Sequence, residues 1–256
     1  MSAASGRPAQ APSAAPEVGP VRLQQRIDAA GAALRDALAR FPAAAFANSF
    51  GAEDMVLLDL IDRLGLPVHA FTLDTGRLHE ETYALMAQAR TRYRTAVHVM
   101  FPEAARVESF VSENGINAFR DSVELRKECC RIRKLEPLAR ALAGRDLWIT
   151  GLRREQSPTR SAVEVLEHDA ANGLMKLNPL ADWTSADVRE YVDAFSVPVS
   201  ALHAQGFPSI GCSPCTRAIA PGEDERAGRW WWELPMQREC GLHMTPDGRL
   251  VRTAAN

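Results

Sequence analysis

Apolar residues near the start of the chain recur at the spacing of an amphipathic helix, and the period then changes. The residues with helical spacing are Leu23, Ile27, Ala30, Leu34 and Leu38. They predict a first helix that ends near Phe41. A short apolar run covers residues 43–50, and helical spacing resumes at Met55. The pattern therefore predicts a strand, a turn that contains Gly51, and a second helix.

The same succession of strand, turn and helix continues along the chain. Further strands are predicted at residues 68–73, 96–100 and 147–150. Further helices are predicted at residues 78–93, 103–114, 117–128, 130–142 and 188–195, the last of them after a start signal at Thr184. Strands that alternate with helices indicate an α/β fold with a parallel, helix-covered sheet, whose ligands bind at the carboxyl ends of the strands.

The two ends of the chain differ in composition from its middle. Residues 1–20 contain ten Ala or Pro and no continuous apolar run, so we expect a disordered tail rather than a secretion signal. The segment after Gly222 is rich in charge and glycine, so we expect residues 223–256 to form a mobile C-terminal segment. Residues 21–222 then make up one large α/β domain.

Charge and hydropathy argue against several classes of protein. The chain has 30 Lys and Arg against 32 Asp and Glu, and this formal net charge of −2 argues against a dedicated nucleic-acid binder. No stretch reaches the ~18 apolar residues that a bilayer-spanning helix needs, so we expect no membrane association. The five cysteines are clustered rather than scattered, which fits a reducing compartment and a cytoplasmic location.

Four of the five cysteines form two tight pairs far apart in the chain, Cys129-Cys130 and Cys212 with Cys215. Four thiolates match a structural Zn²⁺ or an iron–sulfur cluster. Directly adjacent ligands are awkward around one small tetrahedral ion, whereas a cluster offers separate iron corners, so the spacing favours a cluster. A redox dithiol and pairs of small buried apolar side chains stay open as interpretations without a metal.

A cation lies close to the first cysteine pair in the sequence. Lys134 follows Cys130 by four residues and so shares its face on a regular helix. A cation beside an anionic thiolate cluster offsets its charge and can bring an anionic substrate close to it. The ordinary alternative is a solvated basic helix face, and the cysteines favour the functional interpretation of Lys134.

The fifth cysteine, Cys240, stands outside the two pairs and is a candidate nucleophile. Arg226, Arg229 and His243 are candidates for lowering the pKa of its thiol. The aromatic run Trp230–Trp232 is more typical of packing against the domain than of ligand contact. We expect this segment to close over the site when substrate binds.

Three loops after predicted strands carry polar residues that suit an anionic ligand. They are the loop Ser49–Asp54, the turn Asp74–Arg77 and the loop that contains Arg153, Arg154 and Arg160. Backbone N–H groups at a helix start and bidentate arginines both bind phosphate or sulfate. An ordinary connection, a turn with surface charge and a solvated loop are the respective alternatives, and neither a Walker pattern nor G-x-G-x-x-G occurs.

Together these motifs resemble the assimilatory adenylyl-sulfate reductases, the iron–sulfur branch of the APS/PAPS reductase family. The matching segments are residues 49–54, 73–77, 127–134, 150–154, 212–215, 229–233 and 239–243. The cysteine pairs indicate the branch, because typical PAPS reductases lack both. The resemblance implies the α/β sheet of the adenine-nucleotide α-hydrolase-like (PP-loop) type. The first loop departs from the Ser-Gly-Gly-x-Asp-Ser pattern of PP-loop pyrophosphatases, which argues against ATP cleavage.

The resemblance also implies a reaction. Cys240 would attack the sulfur of adenosine 5′-phosphosulfate (APS), expel AMP and carry an S-sulfocysteine, from which reduced thioredoxin would release sulfite. His243 would assist in positioning. A [4Fe–4S] cluster, ordering the site without passing electrons, would be held by Cys129, Cys130, Cys212 and Cys215. The substrate-binding residues implied are Ser49, Phe50, Gly51, Asp54, Leu73, Asp74, Thr75, Gly76, Arg77, Lys134, Arg160, Arg226 and Arg229.

Three alternatives stay open at this stage. The enzyme could act on both APS and PAPS, since one additional cation accommodates a 3′-phosphate. A PP-loop iron–sulfur tRNA sulfurtransferase would need ATP cleavage and a basic RNA-binding face. A cluster-based redox sensor would leave Cys240 and its neighbouring cations unexplained. The oligomeric state is also left open, with a homo-oligomer among the expectations.

Overall fold

A six-stranded sheet forms the centre of the computed structural model, which describes residues 20–156 and 160–233. The strands are β1 Ala44–Ala47, β2 His69–Leu73, β3 Val97–Met100, β4 Leu147–Ile149, β5 Leu166–Asp169 and β6 Leu174–Leu177. Their order in the sheet is β3-β2-β1-β4-β6-β5. All neighbouring pairs are parallel except β5 and β6, which form an antiparallel hairpin at one edge. The predicted parallel sheet is confirmed.

Seven α-helices cover the sheet in the described part of the chain. They are α1 Pro20–Arg40, α2 Ala52–Arg63, α3 Glu80–Arg92, α4 Ala104–Asn114, α5 Val123–Cys130, α6 Glu136–Leu142 and α7 Ser185–Phe195. Helix α7 begins with a capping box in which Thr184 and Asp187 satisfy each other's backbone N–H groups, as the sequence predicts. None of these described helices is long and apolar enough to cross a membrane.

The apolar core lies on both faces of the sheet. On one face, residues of α1, α2, α3 and α7 pack against β1 and β4 in a single cluster that includes Leu34, Leu58 and Ile61. On the other face, Leu138 and Leu142 of α6 pack on the sheet. Each fully buried side chain of this kind contributes about 1.5–3 kcal/mol relative to exposure. The strands are thereby fixed in register, and so are the loops that leave their carboxyl ends.

Helices α5 and α6 are joined by one wide π turn, Arg131–Leu135, instead of the regular helix predicted for residues 130–142. The backbone N–H of Glu136 donates to the carbonyl oxygen of Arg131, five residues earlier. Pro137 follows directly; it has no N–H, and its ring would clash with the carbonyl four residues before it in a regular helix. Such π turns occur frequently at functional sites.

One other sequence prediction is corrected by the structure, and one element was not predicted at all. The predicted helix over residues 117–128 is a short 3-10 turn at Ala118–Arg120 and then α5, because Ser122 caps α5 by accepting a hydrogen bond from the N–H of Leu125. The hairpin of β5 and β6 was not predicted from the sequence. The four predicted strands and the remaining helices are confirmed, with ends shifted by a few residues.

Candidate active site

A cavity of about 270 Å³ opens at the carboxyl ends of β1, β2 and β4. We call it the strand-end cavity. Its wall includes Ser49 after β1, Thr75 after β2 and Gly151 after β4. Parallel sheets bind ligands at this end because the loops that follow the strands converge there. The three loops named from the sequence therefore meet at one place.

The loop after β1 is held in a strained, fixed conformation. Phe50 has a φ of 61°, in the left-handed region that is unusual for a bulky residue, and its side chain is buried in the core. Its N–H donates to Asn48 Oδ1 at 2.7 Å. Ser49, Gly51 and Asp54 line the strand-end cavity, whereas Phe50 does not. Phe50 therefore shapes the loop from the core side and does not line the cavity itself.

Burial and hydrogen bonds from Ser49 both act on the pKa of the Asp54 carboxyl group in this loop. The N–H and Oγ of Ser49 donate to Asp54 Oδ2 at 2.7 and 2.6 Å. Burial outweighs these hydrogen bonds and raises the pKa of Asp54 to about 6 from 3.8. The group thus contributes stability that is complete below its ordinary pKa and is lost as the pH rises through about 6. A Cβ at Gly151 would overlap Asp54 Oδ1, so only glycine fits there.

The loop after β2 is tied down by its own acidic residue. Asp74 Oδ1 accepts from the N–H of Gly76 at 2.8 Å and from the hydroxyl of Tyr83 at 3.0 Å. Gly76 has a φ of 70°, which favours glycine. Leu73 and Thr75 line the strand-end cavity. Asp74 and Gly76 are outside its wall and act by fixing the loop.

A second, smaller cavity adjoins the first, and all four paired cysteines line it. We call it the cysteine cavity. Its other wall residues include Arg77, Phe119, Arg126, Arg133 and Trp230. Cys212 Sγ lies 3.3 Å from the hydroxyl of Thr75, and the Arg133 guanidinium donates to the Thr75 carbonyl at 2.6 Å. The loop after β2 therefore contacts both cavities.

The donor set of the cysteine cavity has the chemistry of an iron–sulfur site, since its wall carries four thiols. In residues 20–156 and 160–233, no three His, Cys, Asp or Glu side chains converge closely enough to hold a single metal ion. The four cysteines nevertheless pack in one buried cluster with Phe119 and Trp230. The buried Trp230 Nε1 has no hydrogen-bond acceptor among the described residues, so this wall of the cavity presents a donor without an acceptor. An iron–sulfur cluster supplies separate metal corners and acceptor sulfurs.

Burial disfavours the thiolate form of Cys129 and Cys215. It is the largest cause that raises the pKa of Cys215 to about 12, followed by the neighbouring Cys212, while Lys134 and Arg229 act in the opposite direction. Burial also raises the pKa of Cys129. Cysteines in such surroundings behave as structural groups or metal ligands rather than as free nucleophiles. Cys129 and Cys215 therefore differ from a reactive thiol, whose pKa is lowered.

Lys134 and Cys212 line both cavities. Lys134 extends from the π turn between the cysteine pair and α6, and its charge also acts on Cys215. A cation placed between the two cavities can interact with a ligand in either one. Among the described lysines and arginines, Lys134 is therefore the one that the two cavity walls share.

Arg160, Arg226 and Arg229 also line the strand-end cavity. Arg229 is buried and donates to the carbonyl oxygen of Ile210 at 3.4 Å. A Cβ at Gly211 would overlap its guanidinium group, so the glycine before Cys212 makes room for this cation. Together with Lys134, these arginines place four cationic side chains on the cavity wall. Such side chains bind the oxygens of an anionic ligand through charge-assisted hydrogen bonds.

The other two arginines of the loop after β4 do not line the cavity. Arg153 is buried and pairs with Glu53, at 2.8 Å, and with Glu155. Arg154 pairs with Asp182 and donates to the carbonyl oxygen of Val163. The expectation that this loop captures an anion therefore rests on Arg160.

Several wall residues were not identified from the sequence. They include Glu53, Thr150, Gln156, His203, Ile210 and Glu225. Glu53, Thr150 and Gln156 lie within loop segments that the sequence analysis names, although none of them was assigned to the site. His203 and Ile210 lie in the irregular stretch after α7, where no periodicity indicates which side chains face inward.

Arg77 lines the cysteine cavity and reaches the carbonyl oxygen of Ile116 at 2.6 Å. It therefore contacts the smaller cavity rather than the larger one. Cys240 and His243 lie outside the described residues. Their roles stay predictions.

Relatives of this chain have closely similar sequences. It is 56% identical over 200 residues to an adenosine 5′-phosphosulfate reductase of Burkholderia cepacia, covering 78% of this chain and 80% of that protein. It is 55% identical over 198 residues to an enzyme of the same name from Allochromatium vinosum, with 77% of each protein covered.

Solved structures share the fold. Phosphoadenylyl-sulfate (PAPS) reductase of Candida auris, in its phosphate complex, has a TM-score of 0.65 and 26% identity over 79% of this chain and 98% of that one. FMN adenylyltransferase of Candida glabrata, with a TM-score of 0.53 and 15% identity over 79% of this chain and 68% of that one, shares the fold alone. The sequence profile of the phosphoadenosine phosphosulfate reductase domain matches residues 43–218. The chain belongs to the phosphoadenosine phosphosulfate reductase family.

Proposed function

We propose that this protein reduces adenosine 5′-phosphosulfate to sulfite and AMP, with Cys240 as the nucleophile and reduced thioredoxin as the electron donor. One observation carries the proposal: Lys134 lines both the strand-end cavity and the cysteine cavity. A cation shared by the two cavities relates an anionic substrate to the cysteine centre. The substrate class is supported by two relatives that are named adenosine 5′-phosphosulfate reductase.

The strand-end cavity suits a nucleotide with a charged tail. Its wall combines apolar side chains such as Phe71, Leu78 and Trp148 with cations. Apolar walls accept a base and a sugar, and cations accept phosphate and sulfate oxygens. We assign the phosphosulfate to the cations Lys134, Arg160, Arg226 and Arg229. The adenosine then lies along the loops after β1 and β2.

We assign a [4Fe–4S] cluster to Cys129, Cys130, Cys212 and Cys215. These residues line one cavity, and four thiolates with two of them adjacent in the chain suit the separate iron corners of a cluster. When bound, the cluster supplies charge and holds two distant segments of the chain together. Lys134 and Arg133 then bring positive charge to its border. We assign the cluster no electron-transfer step.

The covalent step uses a thiolate. Cys240 Sγ attacks the sulfate sulfur, so an S–S bond forms while the bond from sulfur to the phosphate oxygen breaks and AMP leaves. A thioredoxin thiolate then attacks Cys240 Sγ and expels sulfite. The second thioredoxin thiol resolves the mixed disulfide, so the dithiol supplies both electrons. We assign this reaction to the cytoplasm, where thiols stay reduced.

The chain length allows Cys240 to reach the site. Glu233, the last described residue, packs near the cysteine cavity through Arg126. Six residues lie between Glu233 and Cys240, and the seven Cα-to-Cα steps span at most about 24 Å when extended. Cations at the end of the cavity would also favour the thiolate form of Cys240.

The test is a product assay on anaerobically purified full-length protein. With APS and reduced thioredoxin, we expect AMP and sulfite in equal amounts, and with PAPS a much lower rate because no cation has been assigned to a 3′-phosphate. Equal rates with both nucleotides would indicate a dual reductase. No sulfite from either nucleotide, with iron and sulfide present, would contradict the proposal; ATP-dependent transfer of sulfur to tRNA would indicate the sulfurtransferase instead.

A further inference from the structure

A buried ion pair fixes the last described segment of the chain to the helix that carries the first cysteine pair. Arg126 Nε donates to Glu233 Oε1 at 2.9 Å, and Arg126 Nη2 donates to Glu233 Oε2 at 2.8 Å. The two side chains are 1% and 3% exposed. This is the two-point geometry in which arginine binds a carboxylate most strongly. Residues 107 apart in the chain are thereby held face to face.

The segment that contains Glu233 is also bound to the second cysteine pair. We call residues 229–233 the root segment. Its N–H at Trp230 donates to the carbonyl oxygen of Cys215 at 3.1 Å, and Arg229 forms a β-bridge with Thr216. Trp230 has a φ of 42°, a strained value for a bulky residue. Strain of this kind persists only where the surroundings dictate the conformation.

The ion pair and the cysteines share one helix face. Arg126 precedes Cys129 and Cys130 by three and four residues on α5, so all three side chains point the same way and line the cysteine cavity. The guanidinium of Arg126 also lies over the Trp230 ring, 4.8 Å from its centroid. The root segment is therefore in contact with both halves of the cysteine centre.

Stability alone does not account for such a pair. A buried ion pair loses about as much to desolvation as its attraction returns, and replacing both partners with apolar residues is often neutral or stabilising. Unlike apolar packing, the ion pair fixes the relative orientation of the two side chains, because it contains two parallel hydrogen bonds. The root segment is the part of the described chain from which residues 234–240 continue.

We infer that the Arg126–Glu233 ion pair is a positioning device for Cys240. It fixes the place and orientation of Glu233, the residue from which the chain continues toward Cys240, beside a cavity whose wall includes Arg126 and Lys134. This inference rests on the proposed function in taking Cys240 as the nucleophile. Neither Arg126 nor Glu233 lines the strand-end cavity, so they would act on the rate through the position of the thiol.

The test separates positioning from stability. The variant that carries Arg126→Met and Glu233→Met removes both charges, and we expect its unfolding midpoint to stay near that of the wild type. The single variant Glu233→Gln leaves a buried arginine without its carboxylate, and we expect its unfolding constant to rise on the order of 10²–10³-fold. Arg126→Lys keeps the charge but loses the two-point contact. The variant with Arg140→Met and Glu103→Met removes an exposed pair and is the matched control.

Three properties are measured on anaerobic holoprotein: the rate of adduct formation at saturating APS, the affinity for AMP, and amide hydrogen exchange of residues 229–233. For the double variant at the ion pair, we expect the rate to fall about 10–100-fold because the thiol is misplaced. AMP affinity and iron content should be unchanged, and the root segment should exchange faster. Arg126→Lys should also show a slower rate and faster exchange with unchanged AMP affinity, but to a smaller degree. The control variant should match the wild type in all three properties.

Wild-type rates in a stable double variant would overturn the inference, since the pair would then be structural only. Unchanged exchange of the root segment would also overturn it. If the wild type itself forms no adduct with APS, the proposed function fails, and exchange of the root segment alone decides whether the ion pair fixes this segment. Failure of the inference and failure of the proposed function are therefore distinguishable.

Discussion

Replacing Cys212 with serine should remove the metal centre and abolish sulfite production. A serine hydroxyl stays protonated and does not replace a thiolate on iron. The expected loss of activity exceeds the roughly 100-fold that losing an outer-shell partner of a metal site typically costs. Iron and sulfide analysis gives the first readout, and the APS-dependent rate gives the second.

The effect should extend from the cysteine cavity to the strand-end cavity, because Cys212 lines both. Its contact with the Thr75 hydroxyl also supports the loop after β2. The matched control is Ser213→Ala, which changes an exposed side chain between Cys212 and Cys215 and should keep its iron. Full iron content together with full activity in Cys212→Ser would contradict the assignment of this cysteine.

Replacing Lys134 with alanine should lower kcat/KM for APS by about 10²–10³-fold while the iron content stays that of the wild type. This is the loss that follows removal of one preorganised group that stabilises developing negative charge. AMP carries the departing negative charge, and Lys134 is the cation shared by the two cavities. Lys134→Arg keeps the charge on a different geometry and should recover part of the rate.

The matched control is Lys127→Ala, which removes one positive charge from an exposed position of α5. Its rate should stay close to that of the wild type, since no cavity wall includes Lys127. Equal losses in Lys127→Ala and Lys134→Ala would mean that net charge, rather than position, decides the rate. If Lys134→Ala instead lost iron, the main role of Lys134 would be to retain the cluster rather than to stabilise the leaving group.

The central strands could be predicted from the sequence because they are buried on both faces. Ala44, Ala45 and Phe46 of β1 are almost completely inaccessible, and such strands read as continuous apolar runs. The hairpin of β5 and β6 escaped prediction because a charged residue interrupts its apolar pattern. Lys176 is buried, pairs with Glu167 across the hairpin at 3.1 Å and lies over the ring of Trp148. These contacts with Glu167 and Trp148 offset the burial of the Lys176 charge, and they become visible only in the folded structure.

The π turn is difficult to predict from the sequence, because its main signal is the single residue Pro137. Pro137 indicates a disturbed helix, yet a proline near a helix start is equally typical of a new helix. The structure contains both features, since α6 begins at Glu136 directly after the π turn. The face shared by Cys130 and Lys134 was inferred from regular helix geometry. Both residues do line the cysteine cavity, although the turn between them is wider.

The arginines after β4 illustrate the limit of motif reasoning at the site. Arg153, Arg154 and Arg160 are alike in the sequence, and their roles differ only through their partners. Arg153 forms an ion pair with Glu53, a hundred residues earlier, and Arg154 forms one with Asp182. Pairing at such a distance is decided by the fold. That the two cysteine pairs meet at one cavity could be predicted more directly, because two tight pairs in one chain are typical of a shared centre.

The most direct test of the account is an intact-protein mass spectrum of the anaerobic holoprotein after incubation with APS and no thiol reductant. The account predicts that the wild type gains the mass of one sulfonate, that Cys240→Ser gains none, and that reduced thioredoxin removes the adduct as sulfite. An adduct of the same mass on Cys240→Ser would assign the nucleophile elsewhere. A wild type with its full iron content and no adduct would contradict the account.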